Sequence, residues 1–166
     1  MKKNAVLVIV CLSMTFSLLA QKKMYVWEPK VENYSPISIL KNVHVNIEIQ
    51  DLRVIAPGSE IKATFEQISN AILNSIKKAY GDTFINPKSD TTIIIEVKSY
   101  DATFYSGMWH AQTRYIVKFK NTEKDIEQTN NTFNALGKSS AKSLLSKCFT
   151  GANMKLFDVL NGILKK

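Results

Sequence analysis

The chain has 166 residues and a formal net charge of +8 at neutral pH. Its composition is 45% hydrophobic and 22% charged, values that exclude a disordered chain and suit one globular domain. The lysines do not cluster with base-stacking aromatic residues, so we expect no nucleic acid among its partners.

The first twenty residues have the order of an export signal. Lys2 and Lys3 come before the apolar run Ala5–Leu19, and the small residue Ala20 comes before a polar stretch. This pattern predicts a signal peptide over residues 1–20, cleaved near Ala20. The mature protein is then periplasmic or secreted, and association with the outer membrane stays open.

Two other interpretations of this segment fit less well. Ala5–Ala20 has 16 residues, whereas a transmembrane helix needs about 20, so we expect no permanent membrane anchor. Lipidation at Cys11 would need a small residue before it, and Val10 is bulky. After cleavage Cys148 is the remaining cysteine, which leaves no internal disulfide.

The rest of the chain divides into an extended segment, residues 21–42, and a single domain, residues 43–166. Val43–Gln50 alternates apolar and polar residues and predicts a strand with one wet face. An amphipathic helix follows, which Ser59 can cap and which ends at Tyr80 before Gly81.

The second half predicts a meander and a closing helix. The predicted strands are Thr91–Tyr100, Trp109–Lys120 and the polar edge strand Asp125–Asn134, and the helix runs from about Lys138 to Leu164. The order β-α-β-β-β-α predicts an α+β fold in which a four-stranded, mostly antiparallel sheet carries both helices on one face.

No motif identifies a chemistry. His44 and His110 lie on separate strands without ligand spacing, so we predict no metal site and no cofactor. Cys148 lies on the apolar stripe of the last helix and is expected to be a buried, inert thiol. Because no constellation of convergent titratable groups is evident, we predict that the protein is not an enzyme.

An aromatic cluster lies where two predicted strands meet. Phe104, Tyr105, Met108 and Trp109 surround Gly107, and a strand connection is normally solvated. These side chains either fold back onto the core or form a partner-binding tip. Asp51 and Arg53, at the end of the first strand, can form a structural turn pair.

The motif Asp51-Leu52-Arg53, the glycine at Gly58 and the long helix that follows resemble the YajG type of bacterial envelope protein. The resemblance covers Asn42–Leu164 in element order and implies an envelope accessory protein without catalysis. One feature departs from that family, since this chain lacks a usable lipidation motif.

The leading hypothesis is an exported, non-enzymatic binding or accessory module of the cell envelope, whose partner is an envelope protein, a glycan or a lipid surface. Its working surfaces would be the tip and the wet sheet face, with His44, Glu48, Arg114 and Lys118.

One alternative is a hydrolase of cell-wall or glycan substrates, with Glu96 or Asp101 beside His110 in a deep pocket. Another is an assembly subunit that pairs through Asp125–Asn134.

Overall fold

The computed structural model describes residues 23–37, 40, 42–133 and 137–165. The predicted export segment 1–20 lies outside the described residues. The described elements are the strands β1 (Met24–Val26), β2 (Asn46–Asp51), β3 (Glu60–Ile61), β4 (Thr92–Tyr105), β5 (Met108–Phe119) and β6 (Thr122–Phe133), and the helices α1 (Phe65–Tyr80) and α2 (Lys138–Leu164). A 3-10 turn, Asp82–Phe84, follows α1.

The long strand β4 organises the sheet. Its first half pairs in parallel with β2, and its second half pairs antiparallel with β1, which also pairs in parallel with β3. On its other side the antiparallel hairpins β4–β5 and β5–β6 leave β6 at the edge. The α+β class is therefore confirmed, and within the described part of the chain the sheet has six strands rather than the predicted four.

The two additional strands come from segments without a sustained period. Strand β1 lies in the segment that was predicted to be extended. Its last residue, Val26, is buried, and so is Trp27, which follows the strand. Strand β3 occupies Glu60–Ile61, where the sequence predicted the first turn of a helix. Short strands of two or three residues carry too little alternation to be recognised from sequence alone.

Helix α1 begins after Thr64 rather than at Ser59. The Thr64 hydroxyl accepts from the backbone N–H of Gln67 at 3.2 Å, and the Gln67 side chain accepts from the backbone N–H of Thr64 at 2.8 Å. This reciprocal capping box satisfies two of the free donors at the helix start. The Ser59 hydroxyl instead donates to the carbonyl of Ala56.

An irregularity in β4 decides which side chains face the helices. The register with β5 shifts between Val97 and Ser99, so the residues that face the core change from odd to even numbers. Before the shift Ile95 and Val97 are buried, and after it Tyr100 and Ala102 are buried. The apolar stripes of α1 and α2 join the same core, which leaves the opposite sheet face open.

A buried polar network crosses the helix layer. Asn153 of α2 is fully buried, and its side-chain amide donates to the hydroxyls of Ser75 in α1 at 3.1 Å and Tyr34 at 3.2 Å. The hydroxyl of Tyr115 in β5 donates to the side-chain oxygen of Asn153 at 3.4 Å. The network ties α1, α2, the N-terminal segment and the sheet together.

Candidate functional site

The open sheet face carries a layer of polar side chains. The strand register places three cross-strand rows next to one another near the tip, Tyr105–Met108–Phe133, Thr103–His110–Asn131 and Asp101–Gln112–Thr129. Since side chains alternate along a strand, these rows share the face that the helices do not cover. The tip row, Tyr105, Met108 and Phe133, ends this face.

A pocket of about 510 Å³ opens on this face, which we call the open-face pocket. Its wall on one side is Met24 of β1 and Ala56, whose backbone N–H lies 3.4 Å from the sulfur of Met24. The remaining lining comes from β4, β5 and β6: Asp101, Thr103, Tyr105, His110, Ala111, Gln112, Thr129 and Asn131. Among the described residues that line it, none is a lysine or an arginine.

Asp101 is the most unusual group in this pocket. Its side chain is buried, with 8% of the residue exposed, and no described residue donates a hydrogen bond to its carboxyl group. Burial raises the pKa of this carboxyl to about 6, and the positive charge of Arg53 offsets part of that rise. An unpaired carboxylate held in a pocket is poised to accept a donor from a ligand.

His110 lies beside Asp101 in the lining. Its Nδ1 lies 2.9 Å from the side-chain oxygen of Asn131, and because an amide oxygen only accepts, Nδ1 is the donor. Nε2 is buried and has no hydrogen-bond partner among the described residues. The ring of Tyr105 stacks on the imidazole with 3.7 Å between ring centroids, which fixes the orientation of both rings.

The four residues predicted to form a partner-binding tip separate into two groups. A two-residue turn at Ser106 and Gly107, both with positive φ, places Phe104 opposite Trp109. Trp109 is only 4% exposed, and its ring lies 5.1 Å from that of Tyr25 and 5.2 Å from that of Phe104. Trp109 therefore closes the end of the core.

The other tip residues remain accessible. Phe104 is 41% exposed and Tyr105 is 39% exposed, while Met108 is half-buried. Phe133, which the sequence pattern did not predict to be part of the tip, is 77% exposed and lies opposite Met108. Two-residue turns at both hairpins set this register. Counting back from these turns along β5 and β6 would have placed Phe133 opposite Met108.

Asp51 and Arg53 form an ion pair at the end of β2. The Arg53 Nε and Nη2 donate to the two carboxyl oxygens of Asp51 at 2.7 and 2.9 Å, a bidentate arrangement. These hydrogen bonds lower the pKa of Asp51. The guanidinium also lies 5.7 Å from the centroid of the Phe65 ring, which places the pair against the start of α1.

The other residues named from the sequence lie away from the pocket. His44 is exposed, and its Nδ1 lies 2.6 Å from the carbonyl oxygen of Thr83. Glu96 is held by Lys118 and Lys98, whose hydrogen bonds lower its pKa, so it is not a pocket carboxylate. Two further residues of the open face are surface groups: Glu48 is exposed and Arg114 pairs with Asp125.

Cys148 is fully buried, as expected for an inert thiol, and burial raises its pKa to about 11. In residues 23–37, 40, 42–133 and 137–165, no three His, Cys, Asp or Glu side chains come together as a metal site would require. The same residues contain no helix long and apolar enough to cross a membrane.

A larger groove of about 920 Å³ lies on the helix side, where residues 27–32 pass the first half of α2. Trp27 and Tyr100 contribute to its lining, together with hydroxyl and lysine side chains of α2. Glu28 and Glu32 line it as well, so the groove has no single sign of charge. Nothing in the sequence pattern predicted this groove, since it forms between two distant segments.

Comparison with known proteins shows the fold alone. No protein-family model matches the sequence, and no curated protein matches it. A protein from Xanthomonas campestris assigned to DUF330 is similar in structure, with a TM-score of 0.52 at 9% identity over 85% of this chain and 94% of that one. An uncharacterised protein is similar too, with a TM-score of 0.51 at 9% identity over 83% and 98%.

Proposed function

We propose that this chain is an exported, non-catalytic binding or accessory module of the cell envelope. The proposal includes the relationship to YajG-type envelope proteins that the Asp51-Leu52-Arg53 motif implies. Its partner is an envelope protein, a glycan or a lipid surface, and its binding surface is the open sheet face near the tip.

One observation carries the choice of surface. An exposed apolar row, with Phe133 77% exposed, directly borders a polar pocket that contains an unpaired, buried carboxyl group. Exposed aromatic side chains next to oriented polar groups are typical of binding surfaces, because the former supply contact area and the latter supply specificity. The remainder of the open face is occupied by ion pairs such as Arg114–Asp125.

Export can be tested with a reporter phosphatase that needs disulfides and so is active only outside the cytosol. Fused behind residues 1–30, the reporter should be active in intact bacterial cells. A fusion that begins at Gln21 is the matched control and should be inactive. Equal activity of the two fusions would contradict the proposed localisation.

The binding surface can be tested by cosedimentation of the mature protein with purified cell-wall fragments and, separately, with envelope lipid vesicles. Tyr105→Gln and Phe133→Gln should each reduce the retained fraction at least fivefold, because both remove exposed aromatic contact area. Met154→Gln changes a residue that is 52% exposed on α2 and should leave retention unchanged. Equal retention of all three variants would show that the tip is not the contact surface.

The hydrolase alternative retains one supporting observation, since Asp101 and His110 line the same pocket. Hydrolysis of a glycosidic bond ordinarily uses two carboxyl groups, however, and Asp101 is the single carboxyl among the described lining residues. The cell-wall experiment distinguishes these functions. A binding module leaves the fragments intact, whereas a hydrolase releases soluble products.

Assembly through the edge strand β6 is less favoured, because side-chain donors already lie against two of its backbone carbonyls. Lys155 Nζ donates to the carbonyl of Glu127 at 2.6 Å, and Gln128 Nε2 lies 3.4 Å from the carbonyl of Thr129. A neighbouring strand would have to displace these donors before it could pair. Covering of this kind is a common protection of edge strands.

A further inference from the structure

The open-face pocket presents hydrogen-bond acceptors without matching donors. Gln112 uses one of its two side-chain N–H donors in a 2.7 Å hydrogen bond to Glu127, and its carbonyl oxygen remains an acceptor. His110 Nδ1 is directed to the side-chain oxygen of Asn131, and its Nε2 is buried without a hydrogen-bond partner among the described residues. The carboxyl group of Asp101 and the side-chain oxygen of Gln112 lie on directly opposed residues of β4 and β5, and both lack a donor among the described residues.

The charges around Asp101 favour a cationic ligand. Arg53, from the segment after β2, already makes a bidentate ion pair with Asp51. The other titratable residues that line the pocket are His110 and Tyr105. Gln112 connects the pocket to Glu127, and the thiol of Cys148 lies on the α2 side. In a chain of net charge +8, this pocket is lined by a carboxyl group without a lysine or arginine.

We propose that the open-face pocket binds a ligand through a protonated primary amine, which the Asp101 carboxylate and the side-chain oxygen of Gln112 hold. An ammonium group has three donors and no acceptor, so it can donate to both open acceptors of the pocket. The ring of Tyr105 lines the same pocket and adds an attraction for a cation. This inference rests on the proposed function, since it specifies what the open face recognises.

Three sugars that differ at one position provide the test. Binding of glucosamine, N-acetylglucosamine and glucose to the full mature chain is measured by NMR at pH 7, following the side chains of Gln112 and His110. Glucosamine should bind at least tenfold more tightly than the other two, which lack the amine. Binding of butylamine shows whether the sugar ring contributes to affinity. If butylamine binds about as tightly as glucosamine, the pocket recognises the amine and the sugar ring contributes little. Equal binding of the three sugars, or the absence of binding by both amines, would overturn the proposal.

Asp101→Asn is the decisive variant, and Asp125→Asn is its matched control on the same face. Asp101→Asn should weaken amine binding at least tenfold, whereas Asp125→Asn should leave it unchanged. Wild-type affinity should also be about tenfold lower at pH 5 than at pH 7, because protonation removes the negative charge of a carboxyl whose pKa is about 6. Unchanged affinity in Asp101→Asn would contradict the assignment.

The two proposals fail in different ways. If amines do not bind but Phe133→Gln abolishes retention on envelope material, the binding surface stands and the ligand class is wrong. If amines bind at Asp101 but no variant changes retention, the ligand class stands and the proposed envelope contact is wrong.

Discussion

Replacing Asn153 by aspartate should lower the free energy of unfolding by about 3–5 kcal/mol at pH 7, the effect expected for a buried unpaired charge. The side-chain amide of Asn153 donates two hydrogen bonds, to Ser75 and to Tyr34. The Ser75 hydroxyl donates to the carbonyl of Ala71, so it faces Asn153 as an acceptor. An ionised aspartate would place a carboxylate oxygen against the hydroxyl oxygen of Ser75, so that two acceptors would face each other in a fully buried site.

The pH dependence of this variant has a defined sign. Burial raises the pKa of the new carboxyl in the folded state above its unfolded value. The loss of stability is therefore complete at neutral pH and becomes smaller as the carboxyl is protonated in acid. The control is Asn161→Asp on the same helix, because Asn161 accepts from Tyr80 at 3.1 Å and an aspartate can do the same. Urea unfolding of both variants at pH 4 and pH 7 measures the difference. Equal midpoints at pH 7 would contradict the network.

Replacing Asp101 by asparagine should have the opposite effect and stabilise the protein at pH 7. The pKa of Asp101 is about 6 in the folded protein against an ordinary value of 3.8. The folded state therefore holds the proton more tightly, and stability falls as pH rises from about 4 to about 6. Removing the carboxylate should therefore raise the free energy of unfolding by up to about 3 kcal/mol above pH 6, and should change it little below pH 4.

The comparison with Asp125 makes this test specific. The Asp125 carboxylate pairs with Arg114, whose hydrogen bond lowers its pKa, so it contributes stability at neutral pH and loses it in acid. Asp125→Asn should therefore reduce stability slightly at pH 7, where Asp101→Asn increases it. Thermal unfolding of both variants at pH 4 and pH 7 measures the two signs. A loss of stability in Asp101→Asn at pH 7 would show that its carboxylate is compensated in the native state.

A stabilising substitution that also removes ligand binding would identify Asp101 as a functional residue. Groups that serve packing alone are usually destabilising to replace, whereas groups kept for binding are often unfavourable in the unliganded protein. The same variant also removes a common objection to binding tests, because its loss of affinity could not be attributed to unfolding.

Local pattern was enough for the main elements of this protein. The alternation in Val43–Gln50 and Trp109–Lys120 predicted β2 and β5, since strand side chains repeat every two residues and one face is buried. The stripe of α2 was predicted for the same kind of reason, and Ala141, Leu145, Cys148, Ala152, Leu156 and Leu160 are buried. These predictions depend on residues that are neighbours along the chain.

The candidate site depends on contacts that no local pattern records. Continued alternation after Val97 would have put Asp101 on the core face, and the register shift before Ser99 places it on the open face instead. Its burial requires Met24 and Ala56, which reach the pocket from distant parts of the chain. The sequence by itself therefore determined the elements and their apolar faces, because those follow from periodicity. The tertiary structure alone decided which carboxyl is buried without a partner, because that depends on long-range packing.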